Sequence, residues 1–87
     1  MKFGVNDIIV HQNDLDRDTP TFWVVQDIEE LTKNALGRLS MGMTHFYQCG
    51  QLRGCQNTYL AIFNIDENLW LSARESIIQE RFPEFLI

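Results

Sequence analysis

From Phe3 to Val10 the chain runs Phe-Gly-Val-Asn-Asp-Ile-Ile-Val, and four of these eight positions are β-branched. Side chains branched at Cβ favour extended backbone, so this run predicts a first strand, with Asn6-Asp7 as its polar start. Apolar residues do not alternate cleanly with polar ones, so neither face of that strand is marked for solvent. His11 to Pro20 follows with Asn13, Asp14, Asp16, Asp18 and Pro20, a composition of turn formers that predicts a surface loop.

Two periods fit the segment from Thr21 to Leu39. Read as a strand, Thr21-Phe22-Trp23-Val24-Val25-Gln26-Asp27-Ile28 is rich in aromatic and β-branched residues. Read as a helix, Val24, Ile28, Leu31, Ala35 and Leu39 fall on one apolar stripe, with Thr19 as N-cap, Pro20 in the first turn and Gly37 as a stop. Phe22 to Val25 are four poor helix starters in a row, which favours a strand to about Ile28 and a turn around Asn34 to Gly37. The alternative is an α+β chain with a long helix at about 20–36.

Further strands are predicted at Met43–Cys49 and at Gln56–Asn64, where Tyr59, Ala61 and Phe63 alternate against Leu60 and Ile62. Between them Cys49 to Cys55 carries Gly50 and Gly54, and a tight reversal uses glycine for its positive φ, so this stretch reads as a hairpin connection. Ser72 followed by Glu75 has the spacing of a capping box. With Ile77, Ile78 and Phe82 on one face and Pro83 as terminator, it predicts a C-terminal helix over Ser72–Phe82, ahead of an apolar tail. No repeat at 20 to 50 residues appears, so the 87 residues are read as one domain, mainly β with α+β character.

Charge narrows the partners. Twelve acidic residues against seven basic ones give a net charge of −5, which opposes loose binding to phosphate backbones. No apolar run reaches the roughly 20 residues that span a bilayer, and Met1 to Asp7 lacks the apolar region of a signal peptide, so a cytoplasmic protein that does not enter a membrane is expected. Two cysteines make no disulfide framework in that compartment.

Taken in order, Asn6-Asp7-Ile8-Ile9-Val10, Trp23-Val24-Val25-Gln26-Asp27-Ile28, Phe46-Tyr47-Gln48-Cys49 and Ile62-Phe63-Asn64-Ile65-Asp66-Glu67-Asn68-Leu69 have a rhythm that resembles the small SH3-like barrels of bacterial and bacteriophage proteins. Asn6 stands where that family usually has glycine, and the link between the second and third strands is longer than in its compact members. The resemblance covers about 3–71 and leaves the helix at about 72–82 outside it. It implies an antiparallel barrel serving as a non-catalytic binding module, whose edge aromatics and loops hold peptides, proteins or nucleic acid.

Candidate chemistry is sparse. Cys49, Cys55 and His45 lack the paired spacing that tetrahedral zinc takes, so no metal site is expected there. Asp14, Asp16 and Asp18 alternate like the first half of a calcium loop, but Thr19 stands where the sharp-turn glycine belongs and Val25 where the bidentate Glu belongs. Neither a nucleophile elbow nor a phosphate-binding glycine loop is present, His45 and Cys49 would lie about 13 Å apart along a strand, and no cofactor motif occurs. The expected function is therefore non-catalytic.

The favoured expectation is a protein-binding module, an accessory or inhibitor protein of a bacteriophage or mobile element, that covers a basic or apolar surface of a larger complex. Asp14, Asp16 and Asp18 would supply the acidic contact, and Trp23 and Tyr47 the exposed aromatic ones, with Phe46 pointing inward beside Tyr47. The alternative is a nucleic-acid-binding barrel using Lys33, Arg38 and Arg53 with an aromatic platform. The tail, Phe85-Leu86-Ile87, packs on the barrel or, if exposed, forms a homodimer contact.

Overall fold

The computed structural model describes residues 1–31, 41–52 and 58–85. Among them, β1 (Ile8–His11), β2 (Phe22–Glu30), β3 (His45–Gln51), β4 (Tyr59–Phe63) and β5 (Trp70–Ser72) form an antiparallel sheet in the order β4-β3-β2-β1-β5. Helix α1 (Ser76–Arg81) follows, and 3-10 turns occupy Gln12–Asp16, Asn64–Leu69 and Pro83–Phe85. The chain is thus a small α+β protein whose sheet is open, since no ladder joins β4 to β5 among the described residues. A long helix at about 20–36 is excluded by β2, which occupies most of that span as strand.

The first strand begins at Ile8 and not at Phe3. Asn6 takes a φ of +74°, a left-handed conformation that a strand does not contain and that Asn tolerates better than most residues. The turn is fastened from both sides: Asp7 Oδ2 accepts from the Gly4 amide at 2.8 Å, and the Asn6 amide donates to the Val25 carbonyl at 2.7 Å. Phe3 is thereby freed from the ladder and swings into the core, where it is buried.

β2 is long because it serves two neighbours. Ile8, Ile9 and Val10 pair with Val24, Trp23 and Phe22, while β3 pairs along the whole of β2 from Trp23 to Glu30. The register shifts between Val25 and Asp27, so Gln26 is an extra residue, a bulge that bends the strand. Before it Val25 pairs with Cys49, and after it Ile28 pairs with Tyr47, which keeps both apolar side chains on the same core.

Two cores result. One holds Phe3, Ile9, Val25, Tyr47, Cys49, Ile62 and Trp70; the other holds Val10, Leu15, Phe22, Ala73 and Ile78. Ile9 and Val10 are adjacent and both fully buried, so β1 has protein on both faces. That is why its sequence shows no alternation.

The capping box does not form, and the helix starts later than its spacing implies. Ser72 is the end of β5, paired with Ile9, and the Ala73 amide donates to the Ile8 carbonyl at 2.8 Å. Its hydroxyl accepts from the Arg74 amide, and Glu75 takes the N-cap position without a side-chain bond. Ile78 is the fully buried anchor of α1, Phe82 packs beside it, and Ile77 faces solvent. The turn at Asn34–Gly37, residues 53–57 of the hairpin connection with Cys55, and tail residues 86 and 87 lie outside the described residues, as do Lys33, Arg38 and Arg53.

Candidate binding surface

The acidic loop is a fixed structure. His11 Nδ1 accepts from the Asn13 amide at 3.1 Å and starts the 3-10 turn, whose Leu15 plugs into the second core. Asp14 faces inward along the loop: its carboxylate accepts from the Thr21 amide and pairs with Arg17 at 3.0 Å. Asp14, one of the three aspartates expected to offer an acidic contact, is partly buried and closes the loop on itself. Asp16 and Asp18 are exposed and make no hydrogen bond or ion pair with the described residues.

Beside that loop lies a cavity of about 400 Å³. Asp18 and Glu84 stand on its lining with Pro20, Phe22, Leu52 and Phe82. Three separate elements meet here: the end of the acidic loop, the end of β3 and the segment after α1. The Leu52 amide donates to the Phe22 carbonyl at 2.9 Å, and the Phe22 and Phe82 rings meet edge to face at 5.1 Å, so the apolar walls are held in register. The volume falls within the range of ordinary ligand pockets.

Trp23 is half-buried against the first core. Tyr47, expected exposed, is fully buried, and its neighbour Phe46 is half-buried. Alternation along β3 runs opposite to that expectation, because Tyr47 and Cys49 share the inner face. The Tyr47 hydroxyl has its own partners inside. It donates to Glu67 Oε2 at 2.6 Å, accepts from the Lys2 amide at 3.1 Å and lies 3.4 Å from His45 Nε2. His45 Nε2 is also 3.7 Å from Glu67, and its Nδ1 meets the Thr44 hydroxyl at 2.9 Å. Lys2 Nζ donates to the Trp70 carbonyl at 2.8 Å, which ties the same corner to the start of β5. Burial first, then the bond to Glu67, holds the Tyr47 phenol above its ordinary value of 10.0.

His45 and Cys49 are engaged separately. The Cys49 thiol is fully buried, donates to the Tyr47 carbonyl at 3.7 Å, and burial pushes its pKa up from 9.0 to about 11. It is a protonated thiol at neutral pH, the inert form of cysteine.

Comparison with protein-family models, curated proteins and solved structures finds no match for this chain. The site is accordingly read from its own geometry. Sequence pattern pointed to Asp16 and Asp18, and the structure sets them on a rigid loop. It did not point to Leu52, Phe82 or Glu84, which reach the cavity from distant parts of the chain. Nor did it pair Glu67 with Tyr47; the one signal available was the spacing of His45 and Tyr47, two apart on a strand and so on one face.

Proposed function

We propose that this chain is a non-catalytic protein-binding module that occludes a basic or apolar surface of a larger partner. The carrying observation is that Asp16 and Asp18, two exposed carboxylates with no partner among the described residues, stand on the loop that borders a cavity of mixed polar and apolar lining. Charge on a rigid loop steers encounter and fixes orientation, while the cavity offers desolvated contact area. The net charge of −5 favours a basic counter-surface.

The framework we propose for this role is SH3-like, built on a sheet that is open among the described residues. A meander from β1 to β4 whose fifth strand returns to β1, on a β2 bent by a bulge and shared by both halves, supports this reading. The test is a pull-down of tagged protein from its source cells, with half of the sample treated with nuclease. A stoichiometric protein retained after nuclease treatment supports the reading, and recovery that depends on nucleic acid overturns it.

A further inference from the structure

Resting on the protein-binding reading, we infer that the cavity between the acidic loop, the end of β3 and the segment after α1 receives an arginine side chain of the partner. Besides the neutral polar residues Thr19, Thr21 and Gln51, its lining combines two chemistries. Asp18 is an exposed carboxylate with no partner among the described residues, and Glu84 brings a second carboxylate to the same lining. Pro20, Phe22, Leu52 and Phe82 supply apolar surface, and the two phenylalanines cross at 78°.

A cation with a long apolar stem satisfies both. Arginine carries a planar, weakly hydrated guanidinium that pairs with carboxylates and packs flat on aromatic rings, whereas lysine presents a compact, strongly hydrated charge. The Phe82 ring already accepts this chemistry, because the Arg81 guanidinium lies 5.2 Å from its centroid. Asp16, exposed on the same loop, adds field without closing the cavity. The acidic balance of the chain disfavours an anionic occupant.

The test is an amide NMR titration of the full chain with N-acetyl-arginine amide, using the neutral isostere N-acetyl-citrulline amide and N-acetyl-lysine amide as comparisons. Expected are shifts centred on Asp18, Phe22, Leu52 and Phe82, with citrulline binding about threefold or more weaker than arginine. Asp18→Asn should weaken arginine by a similar factor and leave citrulline unchanged, and this exposed substitution leaves the fold readable in the same spectra. Absence of shifts around the cavity at saturating millimolar probe, or equal binding of arginine and citrulline, would overturn the inference. So would a captured protein partner that neither Asp18→Asn nor the arginine amide displaces. That last result leaves the protein-binding reading standing, so the two ideas fail separately.

Discussion

Tyr47 and Glu67, one at the centre of a strand and the other in a 3-10 turn twenty residues later, are joined by a 2.6 Å hydrogen bond from phenol to carboxylate. The bond fixes the Asn64–Leu69 turn against the sheet, with Lys2 closing the corner from the other side. Removing only the hydroxyl, in Tyr47→Phe, keeps the ring packing on Phe3 and deletes this bond together with the weaker one from the Lys2 amide. Charge-assisted bonds of this kind contribute about 1.5–3 kcal/mol, so the urea midpoint should fall accordingly with an unchanged m-value. A variant as stable as the parent would show that the bond holds nothing.

Asn6 sits at φ +74°, and the substitution series there should follow backbone strain and not side-chain size. Asn6→Gly should leave thermal stability unchanged or raise it. Asn6→Ala should cost about 1 kcal/mol, because a Cβ without a polar group disfavours the left-handed region. Equal melting temperatures for the two variants would refute this account of the turn.

Alkali should unfold the protein through two buried acids. The Cys49 thiol is held near 11 in the folded chain against 9.0 when exposed, and the Tyr47 phenol is raised above 10.0. A raised pKa means that the folded state binds the proton more tightly, so this stability is fully present below about pH 9 and is lost as pH rises toward 11 and beyond. Chemical denaturation across pH 7 to 11 should show a flat region and then a decline. Cys49→Ala, though destabilised by its lost packing, should decline less steeply. In the parent at neutral pH, a thiol reagent should modify Cys49 only at the rate of opening.

The three loop aspartates should separate into two kinds. Asp14 fastens Thr21 and Arg17, so Asp14→Ala should lower stability by about 1 kcal/mol and loosen the loop. Asp16→Asn with Asp18→Asn should leave the melting temperature in place, slow association with the captured partner several-fold and flatten its salt dependence. An unchanged on-rate for that double variant would remove the loop from the interface.

The β-rich class, β2 to about Ile28, β3, β4 and a C-terminal helix were legible because those segments carry strong local signals. The ambiguity of Thr21–Leu39 has a structural cause. The bulge at Gln26 breaks the strand alternation, so the inward residues Val25 and Ile28 lie three apart, a separation that a helix also uses. Ser72 and Glu75 misled for a different reason: a capping pattern is local, and the ladder from Ser72 to Ile9 overrides it. Tyr47 was misplaced because two neighbouring aromatics, Phe46 and Tyr47, fit either face equally. The cavity was invisible since its walls are assembled by the fold from residues 18 to 84.

β1 is buried on both faces and paired along both edges, and the strand on its outer edge contributes Ser72, sixty-three positions after its partner Ile9. During synthesis, β1, β2 and β3 can therefore assemble while β1 still presents a bare, apolar edge, waiting for β5 to be made. The strand translated earliest is the one completed latest. Any ribosome pause before β5 emerges prolongs the interval in which that edge invites pairing with another nascent chain.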